Sequence, residues 1–242
     1  MERSKDFYMK IKGNYALFTD PSTKGGGEKV SYSIPTKQAL IGIVDACYFK
    51  PTFVNHVEAV KVMSPIQTQV SGSRALLNNY GADLNYYSYL VDVEYLIKFH
   101  FTWNLNRRDL INDRKMKKHE SIMERSIKRG GRRDIFLGTR ECVGFVDWIS
   151  EEDFLSSSSH YQDKKISLGI MFNQFRYPTQ EKEKLRAYYS EVIMDQGLVE
   201  FKDLDSCTIY NEVKDYNYKS AKEIKSVEQE YTEYMSWEDG SQ

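Results

Sequence analysis

The longest regular pattern in the chain is an alternation of apolar and polar residues. Tyr87, Tyr89, Val91, Val93, Tyr95, Ile97, Phe99, Phe101 and Trp103 fall on one face of an extended segment, against Asp92, Glu94, Lys98, His100 and Thr102 on the other. A two-residue period sends successive side chains to opposite faces, so the segment predicts a strand of an antiparallel sheet with one wetter face. A shorter alternation near the N-terminus (Phe7, Met9, Ile11, Tyr15 and Leu17 against Lys10, Lys12 and Asn14) predicts a first strand over 6–18, ended by Thr19, Asp20 and Pro21. Between the two, the period changes to three and four. Ala39, Leu40, Ile43, Val44 and Cys47 follow Pro35-Thr36 and stop at Lys50-Pro51, as a core-facing helix does. Residues 52–70 read as a strand broken at Ser64-Pro65, and 71–85, with Gly72, Asn78, Asn79 and Gly81, as a long loop. Met116, Glu120, Met123 and Ile127 lie near one helical stripe, which predicts a helix over 111–128 closed by Gly130. Strands at 135–137 and 142–146, running to Trp148, follow it.

Strand, helix, strand, strand, helix, strand is the β-α-β-β-α-β order of a ferredoxin-like (RRM-like) unit, assigned to residues 1–150 of an α+β protein. Residues 151–242 read as a small, mostly antiparallel β domain. Its first part, 151–162, carries four serines (Ser156 to Ser159) and reads as a linker. Strands are expected at 165–177 and 198–201 with a helical or mixed patch at 181–194, and the acidic segment from Asn211 onward is expected to be exposed and partly disordered. This scaffold hosts many unrelated activities, so function rests on the residues it displays.

Composition narrows the choice. The 242 residues are 40% hydrophobic with a net charge of −1, enough for a real core and neither a histone-like nor a disordered acidic chain. The charge is nevertheless uneven. Arg107, Arg108, Arg114, Lys115, Lys117, Lys118, Arg125, Lys128, Arg129, Arg132 and Arg133 crowd into one stretch against Asp109, Asp113, Glu120 and Glu124. A basic surface on a neutral protein points to a polyanion, and Gly130-Gly131-Arg132-Arg133 adds a loop that grips a nucleic-acid backbone or orders itself. Cys47, Cys142 and Cys207 have neither disulfide nor zinc spacing and read as small buried hydrophobes. No apolar run suits a membrane span or signal peptide, so the cytoplasm is expected. The glycine-rich segment 22–29 does not complete a phosphate-binding loop and reads as a surface loop.

Candidate chemistry follows by elimination. His56, His100, His119 and His160 are scattered, no carboxylate cluster stands out, and no serine or cysteine sits in a nucleophile setting, so no metal or cofactor is expected. RNA brings its own nucleophile, the 2′-hydroxyl. A site that aligns it, neutralises the phosphate and protonates the leaving oxygen needs no metal. His119 is a residue type that exchanges protons near neutrality, and Lys118 beside it can meet phosphate charge. Neighbours on a helix are splayed by about 100°, however, so a solvated helix face with an incidental histidine stands as the alternative. Tyr48, just past the first helical stripe, reads on position alone as a packing residue.

The strings GNYALFTDPSTKGGGEKVSYSIPTKQAL (13–40), YFKPT (48–52), KVMSPIQ (61–67) and GGRRDIFLGTREC (130–142) strongly resemble the Cas-five family of CRISPR systems, subtype I-C or Dvulg type. The resemblance runs through most of the first 150 residues. It implies a ferredoxin-like N-terminal domain and a small β domain. The implied activity is metal-free cleavage of the repeat hairpin of precursor CRISPR RNA to a 2′,3′-cyclic phosphate. The implied partners are the precursor repeat, the mature crRNA and other type I-C interference-complex subunits, with no membrane. It also implies a catalytic Tyr, Lys and following His, which are Tyr48, Lys118 and His119 here; Lys117, Arg129, Arg132, Arg133, Arg107 and Arg108 are expected to meet RNA. The rival readings are a non-catalytic subunit capping the crRNA 5′ handle and, against the missing carboxylate cluster, a metal-dependent nuclease acting on DNA.

Overall fold

The computed structural model describes residues 2–23, 28–76, 82–179, 183–216 and 225–239. Its elements are β1 (Phe7–Ala16), β2 (Glu28–Val30), α1 (Lys37–Cys47), β3 (Phe53–Val62), β4 (Thr68–Leu76), β5 (Ala82–Trp103), α2 (Met116–Lys128), β6 (Ile135–Phe136), β7 (Val143–Trp148), α3 (Glu151–Ser156), β8 (Lys165–Arg176), β9 (Lys184–Asp195), β10 (Leu198–Glu200), β11 (Ile209–Asp215) and α4 (Val227–Asp239). It is a mixed α/β structure built on one large, almost wholly antiparallel sheet. The sheet order among the described residues is β11-β9-β10-β3-β5-β1-β7-β6, with β2 and β4 on β5 and β8 on β9.

β5 organises the sheet. Its apolar face, Tyr95, Ile97, Phe99, Phe101 and Trp103, is buried, as the alternation predicts. Phe7 of β1 stacks on both Phe99 and Phe101, at 5.4 and 6.1 Å between ring centres. α1 covers the same face with Leu40, Ile43, Val44 and Cys47, and Thr36 caps it by accepting from the Ala39 N–H at 3.2 Å. All three cysteines are unpaired and buried, and burial pushes the Cys47 thiol up to about 12.

Four expectations are corrected. Residues 71–85 are mostly strand: β4 pairs with β5 from Thr68↔Leu90 to Leu76↔Ala82. Ser71, Gly72, Ser73 and Arg74 are exposed, so no buried face marks this hairpin in the sequence; Asn78, Asn79 and Gly81 lie outside the described residues. The helical or mixed patch expected at 181–194 is strand from Lys184 onward, in β9, whose Tyr188, Ser190, Val192 and Met194 share a buried face at period two; residues 181 and 182 lie outside the described residues. The expected linker contains α3, held by a reciprocal cap between Ser150 and Asp153 and anchored by Phe154 against Tyr8 and Leu96. The helix expected from 111 starts at Met116, because Arg108–Asp113 forms a tight 3₁₀ turn instead. The glycine-rich loop has its centre, 24–27, outside the described residues. The acidic C-terminal segment contains β11 and α4, exposed where described. No helix among the described residues is long and apolar enough to cross a membrane.

Candidate active site

α2 carries two residue types that point opposite ways. His119, Met123, Ser126 and Ile127 recur at steps of three and four and form its buried stripe; the stripe the sequence suggests shares Met123 and Ile127 with it and differs at the first turn, where His119 rather than Glu120 is buried. His119 is therefore 0% exposed, walled by Phe53, Phe101 and Trp103, while the Lys118 side chain is 44% exposed. The solvated helix face expected as the alternative is the lysine's, not the histidine's.

Tyr48, at the C-terminal end of α1, is also buried, and its hydroxyl lies 2.8 Å from His119 Nδ1. The other ring nitrogen, Nε2, lies 2.7 Å from the main-chain oxygen of Asp113. A carbonyl oxygen only accepts, so Nε2 carries a proton and donates to it. In the neutral ring Nδ1 is then an acceptor, and the Tyr48 hydroxyl donates to His119. Burial raises the Tyr48 pKa, with the Arg132 guanidinium pulling the other way, so the resting group is a phenol.

Asp113 ties the site together. Its carboxylate accepts from Lys118 Nζ at 2.5 Å and from the Thr52 hydroxyl at 2.8 Å, with Lys50 Nζ at 3.5 Å. The hydrogen bond from Lys118, then that from Thr52 and the Lys50 charge, hold this carboxyl well below the usual carboxylate range against the opposing pull of burial. Such a group contributes stability above its unfolded pKa of about 3.9 and loses it as pH falls. Asp113→Asn is thus expected to lower the urea unfolding midpoint at pH 7, and by progressively less as pH falls below about 3.9 towards the depressed folded value; a deficit of equal size from pH 7 to pH 2 would remove the charge argument. Asp113, Thr52 and Lys50 are the members that sequence reasoning missed. Lys50 and Thr52 stand inside the YFKPT string, and Asp113 had no signal beyond being an acid within the basic stretch.

The basic residues divide. Arg132 places its guanidinium 4.7 Å from the centre of the Tyr48 ring and donates from Nε to Ser126 Oγ at 3.0 Å. The backbone N–H groups of Arg132 and Arg133 both donate to Ala46 O, which docks their loop onto the end of α1. Arg129 and Arg132 line a cleft of about 470 Å³ with Ile122, Arg125, Ser126 and Gly131. Lys117 is exposed on α2, Arg108 is exposed in the 3₁₀ turn, and Arg107 is held by a forked bond to Asp109. Elsewhere, Asp6, Glu58 and His100 have the spacing to hold a metal ion. Arg3 and Lys98 already pair with these carboxylates, Arg3 to Glu58 at 2.7 Å and Lys98 to Asp6 at 3.0 Å.

Comparison with known proteins bears on this arrangement. The family model of the CRISPR-associated protein Cas5 (Cas_Cas5), in its Cas5d form, matches residues 8–202, and the chain belongs to that family. The CRISPR pre-crRNA endoribonuclease Cas5d of Thermus thermophilus is 27% identical over 143 residues, 55% of this chain and 59% of that protein, so the match spans well under two thirds of the relative. Two solved structures are closer in sequence. A functionally uncharacterized protein, SMU1763c from Streptococcus mutans, is 52% identical with a TM-score of 0.76, covering 87% of this chain and 99% of its own. A CRISPR-associated protein is 49% identical with a TM-score of 0.73, covering 87% and 98%.

Proposed function

We propose that this chain is a metal-independent endoribonuclease. It cleaves the repeat hairpin of precursor CRISPR RNA and stays on the 5′ handle as a subunit of the type I-C interference complex. The observation that carries the reading is the hydrogen bond from Tyr48 to His119, with Lys118 held beside it through Asp113. In the proposed reaction the 2′-oxygen attacks the adjacent phosphorus and the bond to the 5′-oxygen breaks, leaving a 2′,3′-cyclic phosphate and a 5′-hydroxyl. Tyr48 orients the 2′-hydroxyl and passes its proton towards Nδ1 of His119. The imidazole returns a proton to the leaving oxygen, and Lys118 meets charge on the phosphorane. Tyr48 and His119 are enclosed in the free chain, with the Arg132 guanidinium over the Tyr48 ring, so this reaction requires the site to open when RNA binds. The strand order β7-β1-β5-β3, with α1 after β1 and α2 after β5, supports reading 1–150 as the ferredoxin-like unit. β8 to β11 then form a small β domain that joins the same sheet where β10 pairs with β3.

The second reading, a non-catalytic subunit that binds the crRNA handle, is favoured by the enclosure of His119 with both ring nitrogens engaged. Incubating the protein with its cognate repeat RNA in excess EDTA, beside the same RNA with a 2′-deoxy residue at the cut, separates the two. The nuclease reading expects cleavage of the first and survival of the second. RNA that is bound and never cut supports the subunit reading.

A further inference from the structure

A second cleft, of about 300 Å³, opens between β1, β4, β5 and the turn that ends in Cys142. It is lined by Tyr15, Gln69, Ser71, Tyr89, Glu141 and Cys142. Tyr15, 43% exposed, meets Tyr89 edge-on at 5.9 Å between ring centres, Tyr89 stacks on Tyr87 at 6.0 Å, and the Lys29 ammonium sits 5.0 Å from the Tyr87 ring. The Tyr15 hydroxyl donates to Gln69 Oε1 at 3.2 Å, which leaves the amide nitrogen of Gln69 as the donor end. Glu141 lines the same cleft as Tyr89, whose pKa is raised by burial and after it by this carboxylate.

Aromatic faces, one carboxylate and one amide in a small cleft form a recognition set for a nucleobase. Unpaired RNA bases are held by stacking on rings and by hydrogen bonds to their edges. The stacking is indifferent to base, whereas the edge is not. A carboxylate offers two acceptors and no donor, so it fits an edge with two adjacent donors. Guanine has one, N1–H beside the N2 amino group. Adenine and cytosine set an acceptor beside their amino group, and uracil flanks its single N–H with two carbonyls. The amide nitrogen of Gln69 matches the guanine O6 acceptor.

We propose that this cleft is a guanine-reading pocket for a single-stranded segment of bound RNA, with Glu141 as its specificity-determining residue and Tyr15 and Tyr89 as its stacking surface. The proposal rests on the RNA-binding reading above and extends it. Glu141 and Arg132 belong to one segment, 130–142, so a base seated here would be held in fixed relation to the Tyr48 site.

The test is fluorescence anisotropy of the full chain with labelled RNA octamers, all uridine or with one central guanosine, adenosine, cytidine or inosine. Guanosine is expected to bind about tenfold more tightly than adenosine, and inosine, which lacks the N2 amino group, should lose most of that gain. In Glu141→Gln, an exposed and nearly isosteric change, the preference should fall to within about twofold. Equal affinity for all octamers overturns the pocket and leaves RNA binding standing, and so does a guanosine preference unchanged in the variant. Failure to bind any octamer overturns both.

Discussion

His119→Asn is expected to slow cleavage of precursor RNA by about 10²–10⁴-fold, the usual share of a general acid–base group, with RNA affinity within about twofold of the parent. Asparagine is the informative variant because of where His119 sits. Alanine would leave an empty volume against Phe53, Phe101 and Trp103 and cost about 2–4 kcal/mol, so lost activity would be confounded with lost fold. The asparagine amide offers an oxygen near the position of Nδ1 and keeps an acceptor for the Tyr48 hydroxyl, but it does not titrate at working pH. The remaining defect, a carbonyl of Asp113 without its donor, costs about 1 kcal/mol. Single-turnover cleavage alongside binding to a 2′-deoxy-blocked RNA reads both quantities. A variant that cuts at the parent rate makes His119 a packing residue and leaves the RNA-binding subunit as the better account.

Gly138→Ala is expected to be the most damaging change outside the site. Gly138 has φ +96°, and a Cβ built on it would lie 2.0 Å from Leu17 O and 2.6 Å from Leu17 C, atoms of main chain that cannot swing away. The neighbouring bond from Leu17 N–H to Leu137 O, 2.9 Å, pins the two segments together. The left-handed backbone alone costs about 1–2 kcal/mol for an alanine, and relieving the clash requires breaking that docking, so a total above about 3 kcal/mol is expected. For a chain of this size that lowers the melting temperature by roughly 6–12 °C. Gly130→Ala is the control: φ is +82° there, yet nothing lies within 4 Å of the added carbon, so only the backbone penalty applies. Equal melting temperatures for the two variants would remove the steric argument.

The sequence disclosed what burial writes into a period. β1, β5 and α1 each bury one face, so their alternations and three-four steps locate them within a few residues. The β4 arm of the hairpin with β5 is exposed from Thr68 to Arg74, with serines and a glycine where a core would demand apolar residues, and no period survives there to be read. In α2 the spacing marks Met123 and Ile127 correctly, but at the first turn it marks Glu120 where His119 holds the buried position. That small shift decides whether His119 meets solvent or Tyr48. The Tyr48–His119 bond joins residues 71 positions apart, and no local pattern encodes such a meeting. Resemblance named these two residues and Lys118. The geometry supplied what links them, because Asp113 acts through its main-chain oxygen as well as its carboxylate, and a main-chain oxygen has no sequence signature.

The position of β5 has a kinetic consequence. It pairs with β1, β2, β3 and β4, so it must collect partners from distant stretches of chain, and each pairing closes a loop before any contact repays the lost entropy. Tyr48 lies just before β3 and His119 just after β5, on either side of that slow step. During synthesis the ribosome therefore delivers the two halves of the site at different times, and neither half exists as a site alone. Only when the long strand is flanked on both sides do the phenol and the imidazole meet, so a partly folded chain lacks the pair on which the proposed cleavage rests.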